Sequence, residues 1–227
     1  AAESHVDNSI KDGKPFVKTN VEGTFHLLEL ARQNPNLQKF VQISTDEVYG
    51  DMADYLKVDE ATPEFPLYGS SYYSATKASS DLLVQAAGKT YGLKYIITRT
   101  VNNYGENQHS EKLIPTIIDC VKNDKPIPVY GDGKNIREWI YADDNCENIF
   151  NLMIGGYEGV YHIGSGERYS NIEIIGIIEQ ILLKRIKFDF VEDRKGHDRV
   201  YKLDSRLTPK LYLSNTLENY LTKELLL

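Results

Sequence analysis

The stretch Thr45-Asp46-Glu47-Val48-Tyr49-Gly50 decides how the rest of this 227-residue chain is interpreted. It directly follows an apolar, strand-like run at residues 39–44. Polar groups at the carboxyl end of a strand in an open α/β sheet face the crevice where ligands bind. On an extended chain, the adjacent Asp46 and Glu47 point to opposite sides and meet different atoms of one substrate. The alternative interpretation is an exposed acidic strand end.

A second segment, Tyr73-Ser74-Ala75-Thr76-Lys77, combines a phenol with an ammonium group four residues later. If residues 72–90 form a helix, Tyr73 and Lys77 stand one turn apart on one face. A nearby positive charge favours the phenolate of a tyrosine, whose pKa is ordinarily about 10. We therefore expect Lys77 to lower the pKa of Tyr73 and to make this side chain a base near neutral pH.

Strand-like and helix-like segments alternate through the first half of the chain, which predicts an α/β fold. Residues 16–33 carry Val17, Val21, Phe25 and Leu28 at helical spacing. Residues 94–101 are typical of a buried strand, and residues 102–105 are expected to cap its end. The proline-containing and glycine-containing segment from 51 to 71 is predicted to be a loop.

The second half is less regular. Strands are predicted at 126–130, 136–141 and 160–164, and helices around 113–118, at 143–154 and after Ser170-Asn171, which is a plausible cap. Apolar and polar side chains alternate at residues 188–191, which lead into a charged loop.

Composition excludes several classes of protein. The chain is 41% hydrophobic and 26% charged, as in globular proteins, and its net charge is −7. This charge argues against a nucleic-acid partner, although a local basic pocket is compatible with it. No apolar run is long enough for a membrane span, and no signal-peptide pattern opens the chain. The two cysteines lack metal-ligand spacing, so we expect no metal site and a cytoplasmic location.

Several motifs together resemble the dTDP-glucose 4,6-dehydratases of the extended short-chain dehydrogenase/reductase superfamily. The motifs that carry this resemblance are Ala1-Ala2-Glu3-Ser4-His5-Val6-Asp7, Thr45 to Gly50, Tyr73 with Lys77, Asn102-Asn103-Tyr104-Gly105, Glu111-Lys112-Leu113-Ile114-Pro115 and Arg137-Glu138-Trp139. The likeness extends from residue 1 to about Tyr201 and fades afterwards.

The resemblance implies a partial Rossmann-type doubly wound parallel sheet with a smaller α/β substrate-binding lobe. Residues 1–105 would form the carboxyl-side part of an NAD-binding domain, and residues 106–227 would be mainly the nucleotide-sugar-binding lobe, with some segments returning to the sheet. It also implies NAD as cofactor and a homodimer formed in part by the 16–33 helix. The cofactor-binding residues it implies are Ala1, Ala2, Glu3, Ser4, Thr19, Tyr73, Lys77 and Asn103.

For catalysis, the resemblance implies that Tyr73 takes the proton of the sugar's 4-hydroxyl while NAD accepts a hydride. Glu47 would then remove the C5 proton, and Asp46 would protonate the departing 6-hydroxyl. Thr45 would hydrogen-bond the 4-oxygen, and Lys77 would hold the nicotinamide ribose. Adjacent carboxylates suit these roles, because a desolvated site can give them different pKa values.

For the nucleotide diphosphate, the resemblance points to residues from several loops and strands. These are Ser4, Thr45, Asn102, Lys112, Leu113, Pro128, Val129, Tyr130, Arg137, Asn171, Asp193, Arg194, Lys195, Gly196 and His197. Arg137 is the best diphosphate partner, because its planar fork matches phosphate oxygens. Alternatively, Arg137 pairs with Glu138 or Asp143 on the surface.

Other residues have plainer interpretations. His197 lies in a charged loop and is expected to be solvated, and Trp139 is expected in the core rather than as a stacking platform. After Asp204, the final amphipathic helix of the family is not evident, so the nucleotide-binding lobe is expected to be incompletely capped.

The chain contains no Gly-x-x-Gly-x-x-Gly, the turn that holds a dinucleotide pyrophosphate in doubly wound folds. We therefore expect an amino-terminal part of the enzyme to be missing. Two hypotheses remain: a dehydratase acting on dTDP-glucose or, second, UDP-glucose, and a non-catalytic fragment whose sheet exposes an apolar edge. Epimerases and decarboxylases of the same superfamily are further alternatives, but the Asp-Glu pair favours dehydration.

Overall fold

The computed structural model describes residues 2–54, 61–206 and 208–226. Its helices are α1 (Val6–Lys11), α2 (Lys14–Phe16), α3 (Gly23–Gln33), α4 (Tyr72–Tyr91), α5 (Leu113–Lys122), α6 (Ala142–Ile154), α7 (Asn171–Leu182) and α8 (Leu217–Leu226). A π-helical stretch, Val17–Glu22, joins α2 to α3, and 3-10 turns span Asp46–Tyr49 and Met52–Asp54. The strands are β1 (Phe40–Thr45), β2 (Tyr95–Thr100), β3 (Asn102–Tyr104), β4 (Ile127–Tyr130), β5 (Ile136–Tyr141), β6 (Gly159–Ile163), β7 (Arg168–Ser170) and β8 (Phe188–Val191).

The main sheet is parallel, with the order β1-β2-β6. Helices cover both faces of this sheet. Side chains of β2 alternate between the two faces: Ile97 packs with α3 and α4, whereas Ile96 packs in a cluster with Leu152 of α6. Within the described chain, β1 pairs only with β2, so its other edge faces the large cavity described below. The α/β fold with a parallel sheet is as predicted.

The second lobe combines the sheet β3-β5-β7 with the parallel pair β4-β8. Its apolar cluster joins isoleucines of α5 and α7 to Leu217 and Leu221 of α8, both fully buried. The expectation of an incompletely capped lobe is therefore wrong, since α8 packs directly on α7. The predicted cap at Ser170 is confirmed, and it forms a capping box with Glu173.

Residues 102–105 were expected to cap a strand, but residues 102–104 form β3. This strand runs parallel to β5, with Asn102 opposite Trp139. It diverges from β2 and carries the chain from the main sheet into the second lobe.

Of the predicted apolar positions in the 16–33 segment, Val17, Val21, Phe25 and Leu28, only Leu28 is buried. The buried side chains of this segment are Phe16, Asn20, Thr24 and Leu28, whereas Val17 and Phe25 are about half exposed, at 44% and 48%. Asn20 takes an interior position because its side chain donates to the Glu3 carbonyl at 3.0 Å and to Thr76 at 3.1 Å. A buried, hydrogen-bonded asparagine leaves no trace in apolar periodicity.

No helix of the described residues combines the length and apolar character that a membrane span requires.

Candidate active site

The carboxyl end of β1, the start of α4 and β3 enclose a first cavity of about 1020 Å³. Residues from distant parts of the sequence meet there. The predicted site residues that line it are Ala2, Ser4, Thr19, Thr45, Asp46, Glu47, Tyr73, Lys77, Asn102, Asn103, Lys112 and Leu113. The tertiary fold thus brings together all five predicted catalytic side chains.

The two carboxylates do not lie on extended chain as expected. Asp46–Tyr49 is a 3-10 turn, because the Thr45 hydroxyl accepts the Glu47 N–H at 3.3 Å and ends the strand. Gly50 closes this turn with φ of 72°, and an added Cβ would lie 2.1 Å from the Tyr68 carbonyl oxygen. This position therefore requires glycine.

Ser71 caps the amino terminus of helix α4, and its side chain forms a capping box with that of Ser74. Tyr73 and Lys77 are both buried, one turn apart, as the spacing predicted. The Lys77 ammonium donates to the Ile43 carbonyl at 2.5 Å, so it ties α4 to β1 at the floor of the first cavity.

Burial raises the pKa values of both carboxyl groups. The pKa of Asp46 rises to about 8, mainly through desolvation and then through the negative charge of Glu47. The pKa of Glu47 rises to about 7, again mainly through desolvation, while Arg137 opposes the shift. The Oδ2 atom of Asp46 is buried without a hydrogen-bond partner in the described chain. One carboxyl therefore holds its proton more tightly than the other near neutral pH.

The expected lowering of the Tyr73 pKa by Lys77 is wrong for this structure. Burial and the negative charge of Glu47 raise the Tyr73 pKa well above 10, and a hydrogen bond with Thr45 only partly opposes them. The Lys77 ammonium is engaged with a backbone carbonyl, and burial lowers its own pKa. Tyr73 is therefore a neutral phenol at neutral pH.

Substituting Asp46 with asparagine should stabilise the chain at alkaline pH. The unfolded carboxyl ionises near pH 4, but the folded one keeps its proton until about pH 8. The contribution of Asp46 to stability therefore falls as pH rises through this window. One pKa unit corresponds to about 1.4 kcal/mol. The free energy of unfolding of Asp46→Asn should therefore exceed that of the unmodified chain by on the order of 2 kcal/mol or more at pH 9, and by little at pH 4.

Urea unfolding at the two pH values measures this difference. The matched control is Asp189→Asn, a change of an exposed aspartate on β8. The same change in stability for Asp46→Asn at both pH values would contradict the prediction.

A second cavity of about 240 Å³ adjoins the first, since Glu47, Asn102 and Lys112 border both. Of the predicted substrate-binding residues, it is lined by Ser4, Asn102, Lys112, Leu113, Pro128, Tyr130, Arg137, Asn171, Arg194, Gly196 and His197. Lys112, Arg137 and Arg194 bring three positive charges to this cavity, beside the carboxyl groups of Asp7, Glu47, Glu111 and Asp198.

Arg137 pairs with neither of the carboxylates considered above. Its guanidinium donates to the Ile136 and Asp198 carbonyls, both at 2.8 Å, and Glu138 instead binds Arg168 at 2.8 Å. Arg194 lies over the Tyr130 ring, and its Nε is buried without a partner among the described residues. Both arginines thus retain N–H donors for an anionic ligand in the second cavity.

His197 is not solvated as expected. Its side chain is 9% exposed, and its Nδ1 lies 2.6 Å from the Asp193 carboxylate. Although this carboxylate favours the charged form of the ring, burial lowers the pKa of His197. Trp139 is 2% exposed and belongs to the apolar cluster of the second lobe, as predicted, but it also borders both cavities.

Some predicted site residues do not line either cavity. Val129 points into the apolar cluster, because it alternates with Pro128 and Tyr130 along β4. The Asp193 carboxylate contacts His197, and Lys195 is exposed. Glu3 anchors its backbone to Asn20 instead. Ala1 lies outside the described residues.

Several further residues that line the second cavity escaped the sequence analysis, among them Asn135, Asp198 and Tyr201. Asn135 could have been found from strand alternation, since Asn135, Arg137 and Trp139 occupy every second position and all border this cavity. No local signal marks Tyr201, which reaches the cavity only through tertiary packing.

Comparison with known proteins agrees with this geometry. A family model described as "NAD dependent epimerase/dehydratase family" matches residues 1–164. The chain is 48% identical to the low-salt glycan biosynthesis protein Agl12 of Haloferax volcanii, over 93% of this chain and 67% of that protein. It is 46% identical to a dTDP-glucose 4,6-dehydratase of Streptomyces griseus, over 90% of this chain and 62% of that protein.

Solved structures show the same architecture. DesIV, a dTDP-glucose 4,6-dehydratase of Streptomyces venezuelae crystallised with NAD and TYD bound, is 41% identical and superposes with a TM-score of 0.90, over 99% of this chain and 70% of that one. UDP-glucuronic acid 4-epimerase of Bacillus cereus, in complex with UDP-glucuronic acid and NAD, is 27% identical with a TM-score of 0.91, over 99% and 72%.

These likenesses define a Rossmann-type nucleotide-sugar enzyme fold. The chain belongs to the NAD dependent epimerase/dehydratase family, and the predicted resemblance to dTDP-glucose 4,6-dehydratases is confirmed. It spans about two thirds of the length of the curated relatives that it matches.

Proposed function

We propose that this chain carries the active site of an NAD-dependent dehydratase that converts dTDP-glucose to its 4-keto-6-deoxy product. One observation carries the proposal: the acid pair Asp46 and Glu47 shares a cavity with Tyr73 and Lys77, next to a second cavity in which Arg137 and Arg194 retain free N–H donors. Residues 1–105 would supply the catalytic side chains, and residues 106–227 would mainly hold the nucleotide diphosphate. The named dehydratase relatives support this choice.

The residues of the first cavity fit NAD as cofactor. The cavity is at the upper end of the size range of ligand pockets, and it contains the unpartnered Asp46 Oδ2 and the buried Lys77 ammonium. Ala2, Ser4, Thr19, Lys77 and Asn103 would hold the cofactor. When bound, NAD supplies a hydride acceptor and a positive charge.

The proposed roles of the two carboxyl groups follow from their protonation. Tyr73 would accept the proton of the sugar's 4-hydroxyl only as a phenolate, which the positive charge supplied by bound NAD would favour, and Thr45 would hydrogen-bond the same oxygen. The resulting 4-ketone acidifies the C5 proton, which Glu47 would remove as the base of lower pKa. Asp46, protonated up to about pH 8, would deliver a proton to the leaving 6-hydroxyl. After water leaves, C6 would take up the hydride that bound NAD supplies, and Glu47 would return its proton to C5.

Arg137, Arg194 and Lys112 would bind the diphosphate, because charge-assisted hydrogen bonds to phosphate are stronger than neutral ones. Thymine and uracil differ by one methyl group, which is worth only about 1–3 kcal/mol in an apolar pocket. UDP-glucose therefore remains the second candidate substrate.

A homodimer is part of the proposal. Exposed apolar side chains gather on α3 and α4, including Phe25, Leu27, Leu30 and Leu82. A patch of this kind on two packed helices is typical of a protein interface.

Mass spectrometry of dTDP-glucose and UDP-glucose incubated with NAD and this chain tests the function, in parallel with a version extended upstream from its gene. Loss of one water from the sugar nucleotide supports dehydration and names the base. A 4-epimer of unchanged mass would favour the alternative epimerase. An unchanged substrate with both versions would favour a non-catalytic binder, as the one-sided pairing of β1 also allows.

The pH dependence of kcat/KM should be bell-shaped. Activity requires ionised Glu47, with a pKa of about 7, and protonated Asp46, with a pKa of about 8. The rate should therefore rise through pH 7 and fall above pH 8, with apparent pKa values that belong to the coupled pair. Steady-state kinetics from pH 5.5 to 9.5 measures the profile. In the Asp46→Asn variant, the alkaline limb of the profile should disappear and the rate should fall by about 10²- to 10⁴-fold. An unchanged alkaline limb would contradict the assignment of Asp46 as the acid.

A further inference from the structure

Tyr201 contacts two groups that line the second cavity, Arg137 through its ring and Asp198 through its hydroxyl. It is 5% exposed, yet it belongs to none of the three apolar clusters found among the described residues. Its contacts are instead with charged groups. This placement separates Tyr201 from tyrosines that only fill a core.

The backbone around Tyr201 is firmly anchored. The Asp51 carboxylate accepts the N–H groups of Arg199 and Val200 at 2.7 and 3.1 Å. The Ile136 N–H of β5 donates to the Arg199 carbonyl at 2.8 Å. These contacts hold the segment 198–201 between β5 and the chain that follows the catalytic turn, so the Tyr201 ring has a fixed position.

The Arg137 guanidinium stacks on this ring, with its central carbon 4.2 Å from the ring centroid. Three of its five N–H donors bind the carbonyls of Ile136, Asp198 and Arg199 at 2.8, 2.8 and 3.4 Å. No carboxylate pairs with Arg137 among the described residues. A guanidinium held on one face and along part of its edge loses little rotamer freedom when its remaining donors bind a ligand.

The Tyr201 hydroxyl has a separate contact. It donates to the Asp198 carboxylate, while the Asp198 carbonyl accepts from Arg137 at 2.8 Å and from Asn135 at 3.1 Å. The ring and the hydroxyl thus contact different groups, and substitutions can separate the effects of the two contacts.

We infer that Tyr201 is a positioning residue for diphosphate recognition: its ring presents the free donors of Arg137 to the second cavity. The inference rests on the proposed function, because it takes the ligand of this cavity to be the diphosphate of a nucleotide. The assigned contact is the stacked face of the ring, and the hydroxyl is dispensable for it.

Isothermal titration of the full chain with dTDP tests the inference, using Tyr201→Phe and Tyr201→Met. Phenylalanine keeps the ring, so its Kd should stay within about threefold of the unmodified value. Methionine keeps the bulk but removes the π face, so its Kd should rise roughly 5- to 30-fold. The matched control is Tyr91→Met, which removes an exposed stack with Arg32 and should leave the Kd unchanged.

The outcomes separate the two proposals. If the unmodified chain does not bind dTDP, the proposed function fails and the inference fails with it. If the unmodified chain binds dTDP and Tyr201→Met binds equally well, only the inference is overturned. Equal losses in the Phe and Met variants would also overturn it, because they would assign the effect to the hydroxyl.

A second measurement applies if Tyr201→Met does not fold. Phenylalanines with increasing fluorination at position 201 preserve the shape of the ring while withdrawing its π density. The Kd for dTDP should rise stepwise with the number of fluorine atoms. A Kd that is independent of fluorination would overturn the inference.

Discussion

Replacing Tyr73 with phenylalanine should lower kcat by about 10²- to 10⁴-fold and leave the affinity for dTDP within about threefold. The reason is that Tyr73 and the two arginines lie in different cavities. Tyr73 faces the first cavity beside Asp46 and Glu47, whereas Arg137 and Arg194, which are proposed to bind the diphosphate, line only the second. Removing the hydroxyl takes away the proposed acceptor of the 4-hydroxyl proton but no group that contacts phosphate.

Steady-state kinetics and dTDP titration together test this separation. Tyr72→Phe is a matched control, because Tyr72 precedes Tyr73 on α4 and is 62% exposed. It should retain full activity. If Tyr73→Phe also retained it, the assignment of the proton acceptor would be wrong.

Replacing Arg99 with leucine should destabilise the chain by about 3–5 kcal/mol, since it leaves the buried Asp81 carboxylate without its partner. Arg99 and Asp81 are 1% and 0% exposed and are joined at 2.9 Å. Arg99 also donates to the Tyr49 hydroxyl at 2.5 Å and to the Pro63 carbonyl at 3.0 Å. It therefore ties α4 to the end of the catalytic turn.

Urea unfolding measures this loss. The double variant with Asp81→Asn should recover part of the stability, because the unpaired charge is then gone. The control is Arg32→Leu, which breaks an exposed pair with Glu29 on α3 and should change stability little. A small effect of Arg99→Leu would mean that water reaches Asp81 in the variant.

The same buried network continues to His162 on β6. The Tyr49 hydroxyl lies 2.6 Å from the His162 Nε2, and burial lowers the pKa of this histidine to about 4. His162 is thus neutral at physiological pH and links the turn to the main sheet without adding a charge. None of these partners is adjacent in sequence, so the network could not be predicted from local patterns.

Comparison of predicted and observed elements shows where sequence patterns suffice. Helix α4, strand β5 and the cap at Ser170 were predicted correctly, because the sequence signal of each, helical spacing, alternation or a capping residue, lies within a few residues. The buried face of residues 16–33 was not, because Asn20 is buried through bonds to Glu3 and Thr76. Tertiary hydrogen bonds override apolar periodicity at such positions.

The amino-acid sequence was enough to predict the α/β class, the family and the pairs Asp46 with Glu47 and Tyr73 with Lys77, since the first pair is adjacent at a strand end and the second is one helical turn apart. Only the tertiary structure decided the rest: the elevated pKa values of Asp46, Glu47 and Tyr73, the burial of His197 and the contact of Tyr201 with Arg137. Spacing controls which side chains share a local element. Desolvation and charge interactions depend on every group that the fold brings near, and most of those groups are distant in the chain.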